Sequence, residues 1–69
     1  MEPIGHSQTT FDVIARGEQW VVRGPLGNTI CVTANQKHAL EFAWITAMEH
    51  PPAKVRLMTT NRLVKQEWD

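Results

Sequence analysis

The sequence predicts a small α+β domain with the element order β-β-β-α-β-β, in which one helix packs on one face of an antiparallel sheet. One stretch, residues 33–49, has helical periodicity and stops ahead of two prolines. The segments on either side of it alternate apolar and polar residues, as half-buried strands do. A sheet with one helix buries the apolar stripe of the helix and leaves the opposite sheet face to solvent.

The helix is predicted to begin at Thr33, which forms a capping-box pattern with Gln36, and to stop before Pro51-Pro52. Apolar residues at i, i+3, i+4 and i+7 define its core face, with Trp44 expected at the centre of the core. The residues assigned to this face are Leu40, Ala43, Trp44 and Ala47, with Gln36, Ala39 and Met48 at its edges.

Phe42 and Ile45 fall on the side of the helix away from this face, beside His38 and Glu41. Two interpretations are open. Either a loop or the N-terminal arm covers the two apolar side chains, or they are exposed and mark an interface. In the second case the candidate protein interface comprises Phe42, Ile45, His38 and Glu41.

Composition restricts the class of protein more than its activity. The 69 residues include seven basic and seven acidic side chains, so net charge gives no attraction to nucleic acid or to an anionic membrane. Cys31 is the single cysteine, which rules out an intrachain disulfide and, without a secretory signal, favours the cytoplasm. No apolar run is long enough to span a membrane. We expect a mobile arm over residues 1–9 and one domain over residues 10–69.

Three strands are predicted before the helix. The first covers residues 11–16, with Phe11, Val13 and Ala15 on one side and Asp12, Ile14 and Arg16 on the other. A two-residue turn, Gly17-Glu18, joins it to the second, residues 19–23, where Trp20 and Val22 share one face and Gln19, Val21 and Arg23 share the other. A glycine- and proline-rich turn then leads to the third strand, residues 29–32. In that strand Ile30 and Val32 are expected to point inward, and Cys31 to point outward or be half-buried.

A second hairpin is predicted after the helix, from residues 53–59 and 63–68. Its first strand places Val55 and Leu57 on one side and Lys54, Arg56 and Met58 on the other. The register of the last strand is open, because either its odd or its even positions could face the core. We favour the even positions, since they bury Val64 and Trp68.

Several of these features together resemble a family of short bacterial proteins classed as a domain of unknown function with a β-β-β-α-β-β layout. The features are Val13, Trp20-Val21-Val22, the cap at Thr33, Ala39, Ala43 and the closing hairpin, residues 55–68. The resemblance covers residues 11–68 and implies the fold and a bacterial setting, but no activity. The family often has glycine in the last hairpin turn, where this chain has Asn61-Arg62.

No residue pattern indicates catalysis or metal binding. His6, His38 and His50 are too scattered along the chain for a metal site. Cys31 and His38 could approach each other across the strand-to-helix turn, but a single such pair arises by chance in most chains. We therefore predict that the protein is not an enzyme and needs no cofactor.

Basic residues are concentrated outside the helix. Five share the predicted open face of the sheet: Arg16, Arg23, Lys54, Arg56 and Lys65. Asp12 and Glu67 are the carboxylates expected there. Such a face can be an ordinary solvated surface, can bind nucleic acid through the sheet, or can bind an acidic protein.

The sequence thus predicts a small cytoplasmic binding module, most simply an adaptor that binds a protein partner or a second copy of itself as a homodimer. Nucleic-acid binding through the five basic residues is the alternative. We expect no membrane association and no small-molecule substrate.

Overall fold

The computed structural model describes residues 9–68, which form a five-stranded sheet with one helix on one face. The elements are β1 Thr9–Arg16, β2 Gln19–Arg23, β3 Thr29–Thr33, α1 Gln36–Met48, β4 Ala53–Met58 and β5 Val64–Trp68. The α+β class and the element order are confirmed. β1 begins at Thr9, ahead of the predicted start at Phe11, and the rest of the predicted arm lies outside the described residues.

The sheet has the strand order β3-β2-β1-β4-β5. Three of its pairings are antiparallel, as expected, but the central one, between β1 and β4, is parallel. The sheet is therefore mixed rather than antiparallel throughout. The reason is the connection through α1, which carries the chain from the β3 edge back across the sheet, so that β4 enters beside β1 in the same direction.

The predicted phases of β1, β2 and β4 are confirmed by the strand register. Val13 pairs with Val22 on one side and Leu57 on the other, and all three face the helix. The two-residue turn between β1 and β2 is also as predicted. Its first residue, Gly17, has a φ of +63°, a conformation that glycine adopts without steric cost.

A stripe of alanines makes the contact between helix and sheet. Ala39 and Ala43 are fully buried and Ala47 is 8% exposed, at i, i+4 and i+8 spacing. The predicted core face is confirmed for Ala43 and Ala47, and Leu40 packs against the core. Its predicted centre is wrong, because Trp44 is 40% exposed and lies at the flank of the helix. Short side chains let the helix lie close to the strands, and close packing there leaves no room for an indole.

Aliphatic and aromatic side chains from the strands complete the core beneath this stripe. The buried cluster consists of Phe11, Val13, Val22, Ala39, Ala43, Ala47, Val55 and Leu57. Large residues are thus supplied by the sheet and small ones by the helix.

The helix begins later than predicted. Asn35 is the N-cap, and its side-chain oxygen accepts hydrogen bonds from the backbone N–H groups of Lys37 (2.8 Å) and His38 (3.2 Å). Thr33 belongs to β3, and its hydroxyl oxygen accepts from the Asn35 backbone N–H at 3.3 Å. The predicted capping box at Thr33 and Gln36 is therefore wrong, because Asn35, two residues after Thr33, caps the helix instead.

In β3 the predictions that Ile30 points inward and that Cys31 is half-buried are confirmed, and the prediction that Val32 points inward is wrong. Cys31 pairs with Val22 and packs against the core, whereas Val32 pairs with Val21 on the face away from the helix. A register shift between Val22 and Arg23 adds one residue to this strand, so that Ile30 also packs against the core. Simple alternation cannot anticipate such a bulge.

β5 follows the favoured register only in its second half. Trp68 pairs with Val55 and packs against the core, as predicted. A register shift opposite Leu57 and Met58 then turns Val64 to the other face, where it pairs with Met58 and is 43% exposed. The prediction that Val64 is buried is therefore wrong.

Enlarging the alanine stripe should destabilise the fold. We expect Ala43→Leu to lower the free energy of unfolding by about 1–3 kcal/mol, because added methyl groups must displace the helix from β1 and β4. Urea denaturation measures the change. The control is Met48→Leu on the exposed side of the same helix, which should change stability by less than about 0.5 kcal/mol. Equal effects of the two substitutions would contradict the assigned face.

Candidate functional site

Large apolar side chains cross the outer surface of α1. Phe42, Ile45 and Met48 follow one another at i, i+3 and i+6 and are 38%, 60% and 77% exposed. We call these three residues with Trp44 the outer apolar band. No loop within residues 9–68 covers Ile45 or Met48, and any cover from the N-terminal arm lies outside the described residues. The sequence identified Phe42 and Ile45 but assigned Trp44 and Met48 to the core face and its edge.

The band continues into a groove between the helix and β5. The rings of Trp44 and Trp68 meet edge to face, with centroids 5.4 Å apart and planes at 86°. A cavity of about 610 Å³ opens beside them, and we call it the tryptophan groove. Its lining residues are Trp44, Ala47, Met48, Pro51, Pro52, Ala53, Val55 and Trp68. This volume lies within the range of about 300–1,000 Å³ that is usual for ligand sites.

The fold explains why the groove exists. The helix lies over β1 to β4, and β5 extends the sheet beyond it. A single helix does not cover all five strands. On the helix-facing side of β5 the register places Gln66 and Trp68, and of these two Trp68 packs against the core. Pro51 and Pro52 follow the helix, and their rings line the groove where the chain turns into β4.

Acidic side chains flank the outer apolar band. Glu41 and Glu49 lie four residues before and after Ile45, about one helical turn away on either side, and both are exposed. Neither forms a salt bridge within residues 9–68. His38 is exposed one turn before Phe42. The structure therefore brings together all four sequence-predicted interface residues, and the surface around them is apolar with an acidic border.

The predicted basic face is partly neutralised by its own carboxylates. The guanidinium of Arg56 donates two hydrogen bonds to Asp12, at 2.8 and 3.1 Å. The bonded Asp12 carboxylate raises the pKa of Arg56 above its ordinary value. The Lys54 ammonium lies 3.0 Å from a Glu67 carboxylate oxygen. Two of the five candidate nucleic-acid ligands are thus engaged within the sheet.

Apolar residues also cross this second face of the sheet. Register places one from each strand in a row: Val32, Val21, Ile14, Met58 and Val64. The three central members are only 6–8% exposed. The sheet face opposite the helix, which was expected to be solvated and basic, therefore has buried apolar residues at its centre. Apolar residues at positions assigned to the solvent side, Ile14, Val21 and Met58, were the signal for it in the sequence.

Three further observations concern chemistry and membranes. Cys31 is half-buried and His38 exposed, and no hydrogen bond joins them among the described contacts. Residues 9–68 contain no group of three or more histidine, cysteine, aspartate or glutamate side chains placed to hold a metal ion. Within the same residues, no helix has the length and apolar character needed to cross a membrane. The cytoplasmic location stays a prediction.

Comparisons with protein-family models, with curated proteins and with solved structures found no match to this chain. The resemblance of residues 11–68 to a bacterial family therefore stays a prediction.

The position of Trp44 at the edge of the core leads to a test by substitution. We expect Trp44→Ala to lower the free energy of unfolding by about 1–2 kcal/mol, since the indole is partly exposed and one edge-to-face contact is lost. Phe11→Ala, at a side chain 2% exposed, should cost about 3–5 kcal/mol. Chemical denaturation of both variants makes the comparison. A larger loss of unfolding free energy in Trp44→Ala than in Phe11→Ala would indicate that Trp44 lies in the core.

Proposed function

We propose that this protein is a non-enzymatic module that binds a protein partner through the outer apolar band and the tryptophan groove. The observation that carries the proposal is the groove of about 610 Å³ that is walled by two tryptophans and continuous with exposed Ile45 and Met48. Contiguous apolar surface of this kind is typical of interaction sites. Tryptophan is also among the residues that contribute most to binding energy at interfaces.

The chemistry of the surface specifies the partner. An apolar segment would fill the groove, because the lining side chains are apolar and only the indole N–H groups of Trp44 and Trp68 are hydrogen-bond donors among them. Glu41 and Glu49 border the band, so a lysine or arginine next to that segment would be attracted at the rim. The partner that fits is therefore a protein segment with aromatic or aliphatic side chains followed or preceded by basic ones.

Nucleic-acid binding has less support. A phosphate backbone is bound by cations spread along a surface, and Arg56 and Lys54 already bond Asp12 and Glu67. The tryptophans, on which bases could stack, lie on the helix side of the sheet, away from the basic residues.

A selection from random peptides displayed on phage tests the proposal. We expect the selected peptides to combine apolar and basic residues. Their affinity should fall at least about thirtyfold in Met48→Glu, the equivalent of about 2 kcal/mol, because a carboxylate is then placed in the groove. Fluorescence anisotropy of a labelled peptide measures the affinity.

Leu26→Glu is the matched control. Leu26 is 90% exposed in the β2–β3 turn, so this variant adds the same charge and removes an exposed apolar side chain outside the groove. Peptide affinity should be unchanged. Failure to select any peptide, or an equal loss of affinity in both variants, would overturn the proposal.

Self-association is measured separately by sedimentation equilibrium. If a second copy of the chain is the partner, the wild type forms a dimer, and the double substitution Phe42→Glu with Ile45→Glu yields a folded monomer. A wild-type protein that stays monomeric at high concentration would rule out the homodimer, and the partner would then be a different protein.

A further inference from the structure

A second cavity lies on the sheet face opposite the helix and is independent of the tryptophan groove. It measures about 250 Å³. The residues that line it are Ile14, Ala15, Arg16, Val21, Arg23, Thr60 and Arg62. Three arginines from three different segments therefore meet at one small cavity: the end of β1, the end of β2 and the β4–β5 turn.

Within residues 9–68 these arginines form no salt bridge with a carboxylate, unlike Lys54 and Arg56 on the same face. Asp12 is bonded by Arg56, and Glu67 pairs with Lys54. Glu18, in the adjoining β1–β2 turn, forms no salt bridge within residues 9–68. Asp12 is the register partner of Arg23, but both of its carboxylate oxygens accept hydrogen bonds from Arg56. Since a guanidinium stays charged in proteins, the residues that line the cavity carry three positive charges and include no carboxylate. Like charges held together in this way favour a bound anion.

The backbone at Arg62 supplies a second, independent observation. Arg62 has a φ of +67°, in the left-handed region that glycine or asparagine normally occupies. Hydrogen bonds hold the turn in this form: the Arg62 N–H donates to the Thr59 carbonyl and the Thr59 N–H to the Leu63 carbonyl, both at 2.9 Å. Unfavourable backbone conformations persist only where the surrounding structure enforces them, and they cluster at functional sites. Here that residue is an arginine at the cavity.

We propose that Arg16, Arg23 and Arg62, with the Thr60 hydroxyl, bind a phosphate group. Guanidinium groups match the oxygens of phosphate with paired hydrogen bonds. The floor of the cavity is formed by Ile14 and Val21, each 6% exposed, and such a dry floor strengthens electrostatic attraction. The volume is below the range of about 300–1,000 Å³ that is usual for drug-sized ligands, which suits a single phosphate group, free or as a monoester.

Titration of the isotope-labelled protein with sodium phosphate, at constant ionic strength against sodium chloride, tests the site by NMR. We expect saturable chemical-shift changes at the three arginine side chains and at Thr60. Glycerol phosphate forms a second arm of the experiment. Tighter binding of the ester than of inorganic phosphate would assign the site to an organic monoester, and equal binding would assign it to the phosphate group alone.

Arg62→Gly is the decisive variant. It removes one guanidinium, so phosphate affinity should fall at least tenfold. It also relieves the backbone strain at a positive φ, so the melting temperature should be unchanged or raised. Arg16→Gln, at an exposed position, should also weaken binding. Lys65→Ala is the control, because it removes one positive charge at a residue that does not line the cavity. Chemical-shift changes with sodium phosphate that are no larger than those with sodium chloride would overturn the proposal. A loss of phosphate affinity in Lys65→Ala equal to that in Arg62→Gly would also overturn it.

Discussion

The contact between a helix stripe of alanines and a sheet of larger residues is the constraint on which the rest of the structure depends. Ala39, Ala43 and Ala47 fill the narrow space above β1, β2 and β4, and the sheet supplies the bulk of the core from Phe11 and its neighbours. A helix that packs through alanines leaves little space beneath it for larger side chains, and of its large residues Leu40 is the one that packs against the core. Phe42, Trp44, Ile45 and Met48 are consequently carried to its flanks and outer side. The packing that holds the domain together therefore also creates its apolar surface.

The width of the sheet, five strands under one helix, shapes the surfaces on both of its sides. One helix covers β1 to β4 but not β5, so the last strand leaves a groove on the helix side, which the Trp44–Trp68 contact only partly fills. On the other side, charged residues pair across β1, β4 and β5 around a row of buried apolar ones. The arginines that remain outside these pairs gather where the β4–β5 turn approaches β1 and β2. Two distinct surfaces, one apolar and one cationic, thus follow from one small fold.

Much of the architecture could be predicted from the residues, because alternation in β1, β2 and β4 and the prolines after the helix are local signals. Trp44 was misplaced because helical spacing identifies several overlapping faces, and residue size, rather than hydrophobicity, decided which face met the sheet. Val32 and Val64 were misplaced because bulges in β3 and β5 reverse alternation, and a bulge depends on the neighbouring strand. Phe42 and Ile45 were correctly placed on the outer side. The arginine cavity could not be anticipated, since it joins three segments through the parallel pairing of β1 with β4.

The most direct test of this account is solvent accessibility of individual methyl groups, measured in dilute protein by NMR with a soluble paramagnetic gadolinium chelate. The account predicts that the methyl signals of Ala39, Ala43 and Ala47 are protected from the chelate, whereas those of Ile45 and Met48 are strongly broadened. Broadened alanine methyls together with protected Ile45 and Met48 methyls would contradict it. That result would mean that the helix packs on the sheet through its large residues, and the apolar band and tryptophan groove would not exist.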